Sequence, residues 1–133
     1  MNSSALKTLM LALVGGWGCT LATQAQTFTN GNSALPSAYN SGGCVGFADL
    51  DGDSYDDLII LDQSRVLHTL YQAPNGTFTD FNLGNVSGSS QWGMCVGDFD
   101  NDGHKDVFSG GSYDGVHLMH ITAPGQGNLQ SLG

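Results

Sequence analysis

Short apolar runs alternate with turn-forming residues along the chain from residue 44 onward. The runs are rich in Val, Ile, Leu and aromatic residues, and they are separated by Gly, Asn, Asp, Ser and Pro. Such runs, about four to eight residues long, predict β-strands, and no stretch has the apolar period of a helix. Four strands are predicted in the first half of this region, at 44–48 (CVGFA), 57–61 (DLIIL), 66–72 (VLHTLYQ) and 77–83 (TFTDFNL).

The same pattern returns with a period of about fifty residues, which indicates a repeat architecture. Four pairs of segments are separated by 49 to 51 residues. They are TFTN (27–30) and TFTD (77–80), the loops at 49–57 and 98–106, VLHTLYQAP (66–74) and VHLMHITAP (116–124), and GTFTDF (76–81) and GNLQSL (127–132). Four strands per unit are typical of a β-propeller blade, with a solenoid of β-units as the competing arrangement. The Gly and Ser residues at 84–90 are expected to join adjacent blades.

Residues 1–25 differ from the rest of the chain and predict a secretory signal peptide. Lys7 precedes the apolar run LMLALV, and small residues follow, with cleavage expected after Ala25 or, second, after Ala22. The run is shorter than the roughly 20 residues of a membrane span, so no transmembrane segment is predicted. The alternatives are a lipoprotein signal lipidated at Cys19 and a helix of the mature fold. The expected location is extracellular or at the cell surface, with the periplasm as the alternative.

Composition narrows the possible partners. The formal net charge is −9, and only three residues are Lys or Arg, which excludes a nucleic-acid-binding surface. Export permits a disulfide, but Cys44 and Cys95 are predicted to be buried small apolar residues, with a bridge between them as the alternative. Trp92 is expected to pack where the inner strand of a blade begins.

All twelve acidic residues are Asp, and nine of them lie in the loops DLDGDSYDD (49–57) and DFDNDGHKD (98–106). Counting the first Asp as position 1, both loops have Asp at positions 1, 3, 5 and 9. These residues are Asp49, Asp51, Asp53 and Asp57 in the first loop, and Asp98, Asp100, Asp102 and Asp106 in the second. Converging carboxylates repel one another and require a counter-charge, and hard oxygen ligands in a flexible loop favour Ca²⁺ over Mg²⁺.

Two Ca²⁺ sites are therefore predicted, with the backbone carbonyls of Tyr55 and His104 at position 7 as a fifth ligand in each. An EF-hand is excluded, because it needs Glu at position 12, where the loops have Ile60 and Ser109, and because helices do not flank the loops. The remaining alternative is a solvated acidic turn without metal, which the duplication in register disfavours.

The two Asp loops and the segments that flank them resemble a known family. GFADLDGDSYDDLII and VGDFDNDGHKDVFSGG are similar to the calcium-loop repeats called FG-GAP or VCBS repeats, which occur in integrin alpha-subunit propellers and in secreted bacterial proteins. LYQAPNGTFTDF followed by WGMCVGDFDNDG is especially similar to the bacterial VCBS branch. The resemblance covers residues 27–133. It implies a β-propeller in which calcium rigidifies a hairpin and the protein serves as a scaffold for binding or adhesion.

The chain departs from this pattern in two respects. A propeller has about four to eight blades, and the region 26–133 holds two units and partial flanking ones. We therefore expect a fragment of a larger propeller, or a unit that associates with itself. The second departure is Ser54, which stands at position 6, where Gly103 stands in the other loop. Position 6 is expected to adopt a positive φ, which makes the Asp49 loop the weaker site.

The sequence favours a non-catalytic, secreted module that binds an unknown protein or glycan. The alternative is the propeller portion of an extracellular carbohydrate-active enzyme. Few candidate catalytic groups lie outside the loops. His117 and His120 are expected on opposite faces of a strand, which disfavours a metal shared between them, and His68 is aligned with Leu118. The chain itself is predicted not to be an enzyme, which leaves any longer parent protein open. The remaining Asp residues are expected at turns or strand ends: Asp62, Asp80 and Asp114.

Overall fold

The computed structural model describes residues 29–133, which form two four-stranded antiparallel sheets and a single turn of 3₁₀-helix at Asn32–Ala34. Each sheet consists of four consecutive strands in chain order. The strands of the first sheet are β1 (Val45–Ala48), β2 (Asp57–Leu61), β3 (Val66–Gln72) and β4 (Phe78–Asn85). Those of the second are β5 (Gly93–Gly97), β6 (Asp106–Gly110), β7 (Val116–Ala123) and β8 (Gln126–Ser131).

This arrangement confirms the predicted all-β fold built from propeller-blade repeats. Two separate antiparallel sheets of consecutive strands are the blade pattern, whereas a solenoid would stack one strand of each repeat on the next. The predicted signal peptide at 1–25 lies outside the described residues. Within residues 29–133, no helix is long and apolar enough to cross a membrane.

Strand pairing shows that equivalent residues of the two repeats are 49 positions apart. Leu58 pairs with Leu70 in the first sheet, and Val107 pairs with Met119 in the second. This register aligns His68 with His117, so the predicted alignment of His68 with Leu118 is wrong. The pairing of β7 with β8 shifts between Ile121 and Ala123. A bulge there accommodates one extra residue, which is why the later Ala-Pro pairs are 50 residues apart.

The main hydrophobic core lies between the two sheets. Its buried side chains include Ile59, Leu61, Leu67 and Tyr71 from the first sheet, and Val107, Met119 and Ile121 from the second. The face that the first sheet turns toward this core is not equivalent to the face that the second sheet turns toward it. Val107 points into it, but its equivalent Leu58 belongs to a smaller cluster on the other face of the first sheet. The two sheets therefore stack head to tail, as successive propeller blades do.

The cysteines and Trp92 show where position in the sheet overrides residue type. Cys44 is buried, as predicted, and burial raises the pKa of its thiol. Cys95 is exposed, contrary to the prediction, because it lies on the edge strand β5 between Met94 and Val96, which pack against the core. Both thiols are free. The Trp92 side chain is 69% exposed, so the prediction that it packs at the start of the strand is also wrong.

Candidate metal centre

The Asp-rich loops connect β1 to β2 and β5 to β6, and each backbone wraps around the carboxylate at position 1. In the first loop, Asp49 Oδ1 accepts hydrogen bonds from the N–H groups of Gly52 (2.7 Å) and Asp53 (3.1 Å), and its Oδ2 accepts one from Ser54 (2.9 Å). In the second loop, Asp98 accepts bonds from the N–H groups of Asp102 and Gly103, both at 3.1 Å. Position 1 thus organises the turn in both repeats.

Positions 3 and 5 continue this pattern by bonding the N–H two residues ahead. Asp51 Oδ1 accepts from Asp53 N–H at 3.2 Å, and Asp53 Oδ1 accepts from Tyr55 N–H at 2.8 Å. The second loop has the same two bonds at the same distances, from Asp102 to Asp100 and from His104 to Asp102. As a result, one carboxylate oxygen from each of positions 1, 3 and 5 lies within 4.8 Å of the others in both loops.

The tight turn depends on left-handed backbone at positions 4 and 6. Position 6 has φ of +73° at Ser54 and +94° at Gly103, which confirms the predicted positive φ. Position 4 has φ of +80° at Gly52 and +60° at Asn101. Gly and Asn tolerate this region, but Ser adopts it at a cost.

The Asp at position 9 is a buried clamp. Asp57 Oδ2 accepts a bond from Leu50 N–H (2.8 Å), and its Oδ1 accepts one from Gln72 N–H at the end of β3 (2.9 Å). Burial raises the pKa of Asp57; the two backbone bonds oppose this shift, and the charges of Asp51 and Asp53 add to it. In the second loop, Asp106 binds the N–H groups of Phe99 (3.1 Å) and Ile121 (3.3 Å) in the same way.

The structure therefore brings together three of the four predicted Asp ligands in each loop. Asp57 and Asp106 hold the loop to its sheet, although each of their oxygens keeps a second lone pair that could reach a cation. Tyr55 and His104 stand at position 7, directly after the clustered carboxylates. The metal-ligand roles of these four residues, and of the six clustered Asp residues, stay predictions.

Sequence reasoning missed two residues that face the loops from the third strand of each sheet. Tyr71 is buried, and burial, then the charges of Asp57 and Asp51, raise its pKa to about 12. Its equivalent in the second repeat is His120, whose Nδ1 lies 3.3 Å from Asp100 Oδ2 and 3.5 Å from Asp106 Oδ1. The signal in the sequence was the 49-residue offset between equivalent residues. Tyr71 and His120 each directly precede the strand residue whose N–H bonds the Asp at position 9.

The Asp residues outside the loops take part in structural contacts. Asp80 accepts a bond from Tyr39 O–H (3.0 Å) and contacts His68 Nδ1 (3.0 Å), so it joins β3, β4 and the segment before β1. Asp62 accepts bonds from Ser64 O–H and from the N–H of Val66. Burial alone would raise the pKa of Asp62, but these bonds and the nearby His68 hold it below its usual range.

Asp114 joins the second sheet to the connection between the sheets. It accepts a hydrogen bond from Gly88 N–H, and one of its carboxylate oxygens lies 3.2 Å from His117 Nε2. His117 and His120 thus have different partners, in agreement with their predicted positions on opposite faces of β7.

Comparison with known families gives a match over the same region. Residues 49–109 match the family model of the FG-GAP-like repeat, from position 1 of the first loop to the fourth residue of β6, so the match includes both loops. The bacterial VCBS branch stays a prediction. No curated protein and no solved structure matches the chain.

Proposed function

We propose that this chain, with its FG-GAP-like repeat, is a secreted calcium-binding propeller module that acts as a non-catalytic scaffold for a protein or glycan partner. The observation that carries the proposal is the duplicated cluster of three carboxylates within 4.8 Å of one another. At about 4 Å, two like charges repel by about 1 kcal/mol in water and by about 4 kcal/mol at an effective dielectric of 20. A bound divalent cation removes this cost.

Calcium suits these loops better than other common cations. The clustered ligand atoms are carboxylate oxygens on a turning backbone, which match the hard, adaptable coordination sphere of Ca²⁺. Mg²⁺ demands near-ideal octahedral geometry and gives up its water reluctantly. The neighbouring carbonyls of Tyr55 and His104 are the predicted fifth ligands.

Thermal unfolding with and without a chelator tests the proposal. Calcium at a hundredfold excess over its dissociation constant should stabilise the fold by roughly 2.7 kcal/mol per site, and the same concentration of Mg²⁺ should do less. Calorimetry should give two calcium ions per chain. Asp53→Asn and Asp102→Asn should each remove one, because Asn keeps the Oδ1 acceptor of the turn and loses the charge. An unchanged unfolding midpoint and no heat of binding would show that the loops bind no metal.

The non-catalytic part of the proposal is supported by the contacts of the remaining Asp residues. Asp62, Asp80 and Asp114 accept hydrogen bonds from side chains or from the backbone that hold turns and segments together. Carboxylates engaged in this way are less suited to acid or base chemistry on a substrate.

A glycan is the partner that the exposed aromatic residues favour. The side chains of Trp92 (69% exposed) and Tyr113 (88% exposed) line an open cleft with Gln63 and Arg65, at the strand ends opposite the Asp loops. Flat aromatic faces beside polar side chains suit the alternating apolar and hydroxyl surfaces of sugars. Trp92→Ala should abolish binding on a glycan array. Phe47→Ala, at a side chain that is also 69% exposed but lies on β1, should leave binding unchanged.

A further inference from the structure

We infer that His120 gives the second Asp loop a site for a borderline transition ion such as Zn²⁺, which the first loop lacks. The ligands are His120 Nδ1 and the carboxylates of Asp100 and Asp106. The inference extends the proposed calcium function, because Asp100 and Asp106 both belong to the predicted calcium ligands as well.

The geometry of the three groups fits a single small ion. The ligand atoms of Asp100, Asp106 and His120 lie within 4.8 Å of one another, and the nitrogen is 3.3 and 3.5 Å from the two oxygens. Tetrahedral zinc with bonds of about 2.0–2.1 Å separates neighbouring ligands by about 3.3–3.4 Å. The groups come from the loop, the start of β6 and the middle of β7, so the folded sheet sets their spacing in advance.

The Nδ1 atom of His120 is a buried ring nitrogen that lacks a hydrogen-bond partner among residues 29–133. Two carboxylates lie close to it, but the contacts do not meet hydrogen-bond geometry. Buried polar atoms are rarely left unpaired, because the lost interaction with water is not replaced. A cation between the nitrogen and the two oxygens would satisfy all three groups at once.

The chemistry of the donors separates this site from the calcium cluster. Calcium takes oxygen ligands, so an imidazole adds little to its binding. Zinc and its neighbours in the first transition row bind imidazole nitrogen well, and a site with two carboxylates and one His leaves a position open for water. His120 therefore changes which ion the second loop prefers.

The first loop provides a matched comparison within the same chain. Tyr71 occupies the place of His120, and its buried hydroxyl also lacks a hydrogen-bond partner among the described residues. A tyrosine hydroxyl stays protonated near neutral pH. A neutral phenol is a poor zinc ligand, so the first loop is expected to remain an oxygen site.

The test is titration of the metal-free full chain with Zn²⁺ by calorimetry, with Co²⁺ absorption as a second readout of nitrogen ligation. The wild type should bind one zinc ion at this site. His120→Tyr should weaken its binding at least about tenfold and leave calcium affinity within about twofold. Tyr71→His should add a zinc site in the first loop. His68→Asn removes an imidazole of the first sheet, which contacts Asp80 and belongs to neither set of ligands, and should change neither result.

Two results would overturn the inference: zinc affinity that His120→Tyr leaves intact, or a wild type that binds no zinc. The second would mean that His120 only contacts Asp100 and Asp106. If His120→Tyr does not fold by circular dichroism, His120→Gln is the replacement, with the same expected loss. Loss of calcium binding with zinc binding retained would refute the proposed function alone, and the reverse result would refute this inference alone.

Discussion

Ser54 holds a backbone conformation that its side chain disfavours, whereas Gly103 holds the equivalent conformation freely. The left-handed region costs a non-Gly residue about 1–2 kcal/mol, and the greater freedom of Gly in the unfolded chain offsets about 0.4–1 kcal/mol of this. Ser54→Gly should therefore stabilise the metal-free protein by up to about 1.6 kcal/mol in urea unfolding. It should also tighten calcium binding by the first loop severalfold.

The reverse substitution is the control for Ser54→Gly. Gly103→Ser should destabilise the second loop by a similar amount and weaken its calcium binding. Weaker calcium binding in Ser54→Gly would mean that the hydroxyl, rather than the backbone, matters at position 6.

Asp62 should make stability depend on pH in a defined direction. Its folded-state pKa is below the unfolded value of 3.8, because hydrogen bonds from Ser64 and Val66 favour the charged form. The stabilisation is therefore complete above pH 3.8 and is lost as the pH falls through the folded pKa. The difference in Tm between wild type and Asp62→Asn should be largest at about pH 5 and above, and should shrink below about pH 4.

Ser64→Ala separates the hydrogen bond from the charge at this turn. It removes one donor to Asp62 without changing any ionisable group, so the pH-dependent part of the stability should become smaller. The lowered pKa of Asp62 would be contradicted by a Tm difference between wild type and Asp62→Asn that stays constant from about pH 3 to about pH 7.

At the scale of the β1–β2 and β5–β6 hairpins, the clamp at position 9 should stabilise the fold independently of metal. Asp57→Ala leaves the N–H groups of Leu50 and Gln72 without their acceptor. Each unsatisfied buried donor costs about 1–3 kcal/mol, so we expect a loss of about 2–6 kcal/mol in denaturant unfolding with chelator present. Asp56→Ala, an exposed neighbour of the same charge, should change stability by less than about 0.5 kcal/mol. Equal effects of the two variants would mean that charge, not the clamp, is responsible.

The strands and the loop turns could be predicted from sequence because their determinants are local. Alternation of apolar residues and turn chemistry located β2 and β3 to the residue, and the Asp spacing indicated a left-handed position at Ser54. The contact of His120 with Asp100 and Asp106 was not predicted, because it depends on the register of β7 against β6, which the sequence indicates only through the 49-residue offset. The exposure of Cys95 and Trp92 depends on which neighbour covers each strand edge, which composition does not encode.

At the scale of the whole molecule, head-to-tail stacking leaves one sheet face without its counterpart. Met94 and Val96 on β5 pack against the core, but their equivalents on β1, Val45 and Phe47, are 45% and 69% exposed. The β1 edge of the first sheet thus presents to solvent the residues whose equivalents the second sheet buries. The rest of this face is covered by the segment before β1, through Leu35 and Tyr39. Further blades or a second copy of the chain would cover the β1 edge, as the sequence led us to expect.

Self-association should therefore be measurable in the isolated chain. Light scattering after size exclusion should show oligomers whose mass rises with concentration, since exposed apolar surface and unpaired edges favour association. Phe47→Lys should reduce the mass toward that of one chain. Tyr113→Lys, at an exposed aromatic residue in the β6–β7 turn, is the matched control and should not. A monomer at all concentrations would show that the β1 face needs no partner.

The clamp formed by Asp57 and Asp106 has a consequence for how such repeats can diverge in evolution. In both repeats the carboxylate at position 9 bonds the N–H of the residue fifteen places later, Gln72 or Ile121. Proline cannot stand at that later position, because it has no N–H to donate. Insertions within the fifteen-residue span would move the donor away from the carboxylate, so changes in length should occur after the donor residue. The bulge that follows Ile121 is such a change. An unrecognised blade in a related sequence could be located by this fixed interval even where the acidic residues at positions 1, 3 and 5 have been replaced.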